Sequence, residues 1–155
     1  MSTANRIDCF KVVPEGIGIL YKLEIYVKGC DLEPSLTELV NLRVSQINGC
    51  AYCIDFHTKE ARSLGESELR LRELSNWWNT ALYSEREREA LAWAATVTKI
   101  SESHIPDEAY EQARKYFTPR ELVNLTLAAI AANAWNRIIV SFRMPLESFL
   151  GTKQI

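Results

Sequence analysis

Glu38-Leu39-Val40-Asn41-Leu42 returns 83 residues later as Glu121-Leu122-Val123-Asn124-Leu125, and this pair of pentads governs how the chain is read. In the same register Ile47 matches Ile130 and Ala51 matches Ala134. Apolar positions recur at helical spacing in both stretches. Ser35 with Glu38, and Thr118 with Glu121, fit capping boxes just ahead of each copy. The pattern predicts a duplicated helical unit packed about a pseudo-twofold axis. Two copies are too few to stack as a solenoid.

Outward from these copies the punctuation is helical throughout. Residues 14–29 carry Ile19, Leu20, Leu23, Tyr26 and Val27 at helical spacing and stop at Gly29. Residues 35–48 repeat the pattern with Leu36, Leu39, Val40, Val44 and Ile47. A third helix near 50–64 ends at Gly65, a natural C-terminal stop. Ser67 caps a fourth through Leu69, Leu71 and Leu74, and Ser84 with Glu87 opens a fifth, from about 85 to 100. Pro106-Asp107 opens a sixth, and Thr118 leads into a long apolar helix ending before Pro145. No run alternates with period two between turn signals. The expected fold class is all-α, as a single domain over 1–155 with its core at about 10–145.

Length and composition agree with one globular domain. The chain has 155 residues, 47% hydrophobic and 25% charged, enough to bury a core without staples. Its formal net charge is −2 and it has no basic block, which argues against nucleic acid as a partner. Met1-Ser2-Thr3-Ala4-Asn5-Arg6 lacks the apolar core of a signal peptide, and no segment approaches 18 consecutive apolar residues. The expectation is a soluble, cytoplasmic protein with no membrane partner.

The two copies part company at Cys50-Ala51-Tyr52-Cys53. The register sets Asn133 opposite Cys50, Trp135 opposite Tyr52 and Asn136 opposite Cys53. The second copy keeps the scaffold and lacks the thiols, so the cysteines read as chemistry rather than packing. On a helix Cys50, Cys53 and His57 fall within an arc of about 60°, with Cys53 and His57 one turn apart. Spacing of three residues allows a disulfide. Asn48-Gly49 is a turn signal that places the pair in the first turn of its helix, where unsatisfied N–H groups favour thiolate. His57 can take a thiol proton or, when charged, stabilise the thiolate. The helix terminus favours Cys50 as the reactive sulfur and His57 favours Cys53, and the residues leave that choice open.

Other readings compete. Cys50 and Cys53 with His57 could form part of a zinc site, with His104, Cys9 or Cys30 as a further ligand, although no second Cys-x2-Cys or His-x3–5-His exists. Two incidental core cysteines are a further alternative. Cys9 and Cys30 stand alone and read as ordinary buried or half-buried residues. Glu38 precedes Cys50 by twelve residues, about 18 Å along a continuous helix, and reaches His57 only if the chain folds back at Asn48-Gly49. The residues by themselves favour a capping role for Glu38, because Glu121 holds the same place where no cysteine exists.

The motif Glu38-Leu39-Val40-x-Leu42-x6-Gly49-Cys50-x-Tyr52-Cys53-x3-His57, followed by Ala61-Arg62 and Gly65, resembles the alkylhydroperoxidase D-like group of the carboxymuconolactone decarboxylase superfamily. Asn133-Ala134-Trp135-Asn136-Arg137 and Ser141-Phe142-Arg143 look similar to a subgroup of single-domain members, and the likeness covers residues 10–145. The resemblance implies an all-helical fold, assembly as a trimer or hexamer, and thiol-dependent reduction of a small hydroperoxide. It implies Cys53 as the attacking sulfur, Cys50 as the resolving one, and Glu38 and His57 as a proton relay. Some members have a His between the cysteines where Tyr52 stands here. Members that decarboxylate lactones lack the dithiol. A lipoyl- or thioredoxin-type dithiol would restore the pair, with no cofactor or metal. The main alternative is a dithiol adaptor that passes electrons between proteins without reducing peroxide.

Helical spacing of the pair leads to one expected outcome. Mild oxidation should link Cys50 to Cys53 within one chain, and peptide mapping after peroxide treatment checks it. Bridges involving only Cys9 or Cys30 would defeat the assignment.

Overall fold

Proline and glycine set the breaks in this helical chain, and the breaks decide what packs on what. The computed structural model describes residues 6–144, and every regular element among them is helical. In order these are α1 (Cys9–Val12), α2 (Pro14–Lys28), α3 (Pro34–Asn48), α4 (Ala51–Ser63) and α5 (Glu68–Glu73). Three-ten turns over Leu74–Asn79 follow, kinked at Asn76. Then come α6 (Glu85–Thr98), α7 (Ile100–Ser103), α8 (Asp107–Arg114) and α9 (Pro119–Phe142). The fold class is all-α. The two four-residue helices and the three-ten turns had no sequence signal, because such short pieces hold too few residues to show a period. Pro145, expected to stop the last helix, lies outside the described residues.

Of the two capping boxes expected at the repeat, one forms and one does not. Thr118 caps α9, its hydroxyl accepting from the Glu121 N–H while the Glu121 carboxylate accepts from the Thr118 N–H. In α3 the N-cap is Glu33, with Pro34 in the first turn and no side-chain cap. Proline is well placed at the first helical position. In the first copy it precedes Ser35, whereas in the second it follows Thr118. The helix therefore starts two residues too early for Ser35 to cap it, and Glu38 sits a full turn inside.

The copies also differ at their far ends. Gly49 ends α3 in the left-handed region, at φ +66° and ψ +30°, and the chain turns into α4. At the matching place in the second copy Ala132 continues the helix, and α9 runs unbroken for 24 residues. By length and average composition alone α9 could cross a membrane, although it holds no run of 18 consecutive apolar residues. Its Asn, Thr and Arg residues interrupt the apolar run without lowering the average enough. In this fold it is a core helix, packed on α2, α3, α4, α6 and α8.

The main core lies between α3, α6 and α9, where Val40, Val44, Ala90, Trp93, Leu125 and Ala129 are buried together. Leu39 and Leu42 point from the other side of α3 into a second cluster with Ala61, Leu74 and Leu91. A buried polar network locks the C-terminal end of α3 to α9. The Asn48 amide donates to the side-chain oxygens of Asn133 (3.0 Å) and Asn136 (2.9 Å), and Asn136 donates to Ser45 Oγ (3.1 Å). With each member bonded, the network fixes the register of the two helices.

Leu125 is fully buried at the centre of the main core. Leu125→Ala should cost about 2–5 kcal/mol, the usual range for opening a leucine-sized cavity. A urea titration checks this, and a midpoint unchanged from wild type would contradict the packing described.

Candidate active site

A backbone turn builds the site. Past Gly49 the chain is held by the Cys50 N–H bonded to the Ser45 carbonyl at 3.1 Å. Cys50 then takes extended dihedrals and becomes the N-cap of α4, its sulfur accepting from the Cys53 N–H at 3.4 Å. The first-turn position expected from Asn48-Gly49 is therefore the one observed. Cys50 and Cys53 are joined as a disulfide, with their Cα atoms 5.3 Å apart. Both are almost completely buried, at 1% and 2% exposure.

Because α4 folds back along α3, residues distant in the chain meet. Along a continuous helix Glu38 and His57 would stand about 28 Å apart. Here His57 Nδ1 lies 2.8 Å from Glu38 Oε2, and both side chains are largely buried. Phe56 sets its ring edge-to-face against the imidazole, with centroids 5.1 Å apart. Glu121, the repeat partner of Glu38, instead caps α9 and pairs with Arg86 at 2.8 Å. Capping was the favoured reading of Glu38 from the residues alone, and it is the wrong one here.

A pocket of about 360 Å³ opens beside the pair. Cys53 and His57 lie on its wall and Cys50 does not. Tyr21, Tyr52, Phe56 and Trp135 give the wall its aromatic side. Tyr52 and Trp135, which occupy matching positions in the two repeats, thus face one cavity. Trp135 is itself held by Phe10 stacked on it and by Tyr21 edge-on at 4.8 Å. Burial pushes the Tyr52 phenol up to about 12, assisted by Tyr21, Asp55 and Glu24, so it stays neutral at ordinary pH.

Charged groups border the cavity. Lys28 pairs with Glu24 at 2.9 Å, and Glu60 lies nearby. Burial pulls the Lys28 ammonium down, but the Glu24 bond and the charges of Glu24, Glu38 and Glu60 outweigh it and hold Lys28 above its ordinary value. Glu38 borders a second, smaller cleft of about 230 Å³, together with Thr37, Lys28 and Glu60. His57 thus borders the first cavity and Glu38 the second, while Val27, Lys28 and Glu60 line both.

The four residues singled out in the sequence come together here. Cys9 is buried with its sulfur 3.8 Å from Met144 Sδ, and Cys30 is half-buried. Among the described residues no three His, Cys, Asp or Glu side chains gather in a metal-binding arrangement. Sequence reasoning missed Asn41, Tyr21, Phe56 and Trp135 as parts of the pocket. Asn41 carried a usable signal, a polar residue three positions after Glu38 on the same helical face. The aromatic residues carried none, since aromatics at helical spacing look like core.

Comparison with known proteins agrees with this geometry. Residues 15–96, which hold α2 to α5 and most of α6, match the carboxymuconolactone decarboxylase family. A crystal structure of an Agrobacterium tumefaciens protein of unknown function, a candidate AhpD antioxidant-defence protein, is 43% identical. It aligns over 92% of this chain and 97% of its own, with a TM-score of 0.88. The uncharacterized Bacillus subtilis protein YdfG is 37% identical over 138 residues, 89% of this chain and 94% of its own. A peroxidase-related protein of Ralstonia eutropha with an alkylhydroperoxidase AhpD core shares the fold, with a TM-score of 0.77. It is 19% identical and aligns over 88% of this chain and 73% of its own. The chain belongs to the carboxymuconolactone decarboxylase family, as one of its AhpD-like members.

Proposed function

We propose that this protein reduces hydroperoxides through the Cys50–Cys53 dithiol, with Cys53 attacking, Cys50 resolving, and His57 and Glu38 moving the proton. One observation carries the reading: Cys53 and the Glu38-bonded His57 converge on a single aromatic-walled pocket. His57 takes the Cys53 proton, and the thiolate attacks the terminal oxygen of ROOH. The O–O bond breaks and the sulfur becomes a sulfenic acid. The alkoxide takes the proton back and leaves as ROH. Cys50 then condenses with the sulfenic acid, releasing water and forming the disulfide. An external dithiol of lipoyl or thioredoxin type restores both thiols by exchange, and the cycle uses no metal or organic cofactor. A cytoplasmic setting suits a pair that must be returned to the thiol form.

Each residue has a physical reason for its role. A carboxylate bonded at Nδ1 fixes the imidazole tautomer and leaves Nε2 for proton traffic. Glu38 also borders the second cleft, which supports proton exchange with solvent while substrate fills the main pocket. Tyr52 stands where some relatives have a His, and its neutral phenol does not serve as a base. Cys53 opens onto a pocket of small-molecule size, which favours a small substrate over a pure adaptor role.

Peroxide consumption with dihydrolipoamide or thioredoxin as reductant tests the proposal. Wild type should consume cumene hydroperoxide and Cys53→Ser should not; equal rates would sink it. Glu38→Gln should lower turnover at least about tenfold, a floor beneath the usual worth of general acid–base groups, while Glu121→Gln stays near wild type. Equal small effects from both would return Glu38 to a structural role.

We also infer that the chain associates with copies of itself, as a trimer or hexamer by its family likeness. Ile19 and Ile25 on α2 and Val123 and Val140 on α9 are at least half exposed, apolar surface that association would cover. Light scattering at micromolar concentration should give a multiple of the chain mass, and a monomeric mass would refute the inference.

A further inference from the structure

We propose that Asn41 binds substrate in this site, its side-chain amide donating a hydrogen bond to the oxygen that departs when Cys53 attacks a hydroperoxide. The role rests on the peroxidase reading given above. Asn41 is 9% exposed and lines the same pocket as Cys53 and His57. Its backbone carbonyl accepts from the Ser45 hydroxyl at 2.8 Å, but among the described residues nothing bonds its side-chain amide. Buried polar groups are nearly always partnered, because losing water without a replacement is costly. Its amide is not sealed away from solvent either, since among the described residues the fully buried side-chain polar atoms without partners belong to Arg43 and Trp135. Such an amide on a cavity wall is suited to a partner that arrives in the cavity.

The internal repeat supplies the comparison. Asn124 holds the matching place in the second copy and is 1% exposed. Its amide donates to Asp31 at 2.6 Å and its oxygen accepts from the Tyr26 hydroxyl at 2.9 Å. There the asparagine is committed to the scaffold. In the first copy, beside the dithiol, it is left unbonded. Asn41 also lies about one turn after Glu38 on α3, the helix that packs on α4, and it shares the pocket wall with Cys53.

The chemistry of the step gives the amide its task. As sulfur bonds to the terminal oxygen and the O–O bond breaks, negative charge builds on the RO oxygen before His57 protonates it. A fixed N–H aimed at developing charge lowers that barrier most when the leaving anion is poor. The aromatic wall then takes the R group. Glu24 and Glu60 outnumber Lys28 at the charged border, which favours a neutral R group over a carboxylate.

Single-turnover oxidation of the reduced protein separates these roles, with Cys50–Cys53 formation followed by quenching and mass analysis. Cumene hydroperoxide leaves as a poor anion, whereas peracetic acid leaves as acetate and needs no donor. Asn41→Leu should slow the first reaction at least about tenfold and the second by less than about threefold, in the range of a lost charge-stabilising donor. Asn41→Ala should show the same contrast, so the measurement does not depend on one variant folding. Equal slowing with both oxidants, or no slowing with either, overturns the role of Asn41. A wild type oxidised by cumene hydroperoxide no faster than Cys53→Ser removes the peroxidase reading itself, and the Asn41 role with it.

Discussion

The left-handed turn at Gly49 is the constraint on which the site depends. A residue with a Cβ adopts φ near +66° only at a cost, so glycine ends α3 here and lets α4 return along it. The reversal brings His57 to Glu38 and sets Cys50 at a helix start, where its sulfur receives a backbone N–H. The Asn48–Asn133–Asn136–Ser45 network then ties the turn to α9. Without the reversal, Cys53 and His57 would still share a helix face, but Glu38 would be about 28 Å from His57, the helix rise over nineteen residues.

One sequence pattern stands in two different structural settings. Both copies keep the pentad, yet proline lies before Ser35 in one and after Thr118 in the other. That shift of the helix start releases Glu38 from capping and holds Glu121 to it. Gly49 against Ala132 does the same at the far end, breaking one helix and continuing the other. Asn41 and Asn124 complete the contrast, one facing a cavity and one bonded into the scaffold. The unbroken copy packs the core, and the broken copy carries the dithiol and the Glu38–His57 pair.

Burial limits access to the sulfurs. Both sulfurs are shielded, and only Cys53 borders the pocket. Whatever reaches it must be small enough for about 360 Å³ and must lie against aromatic rings. Desolvation strengthens polar interactions inside, so His57, Asn41 and the neutral Tyr52 phenol on the pocket wall count for more than they would in water.

Helical periodicity, the repeat, the capping boxes at Ser84 and Thr118, the glycine stops and the dithiol spacing were all legible in the sequence, because each is set by residues within a few positions of one another. The likeness to dithiol relatives drew on the same local signals, and the fold-back at Asn48-Gly49 could be suspected from them. Tertiary structure alone decided between Glu38 as cap and Glu38 as partner of His57, because that turned on where Pro34 started a helix and on which way α4 left Gly49. It alone decided which sulfur meets the pocket, which aromatic rings wall it, and that the amide of Asn41 has no bond where that of Asn124 has two. Those outcomes depend on side chains brought together across α2, α3, α4 and α9, and a periodic pattern says which face of a helix is buried but not what it is buried against.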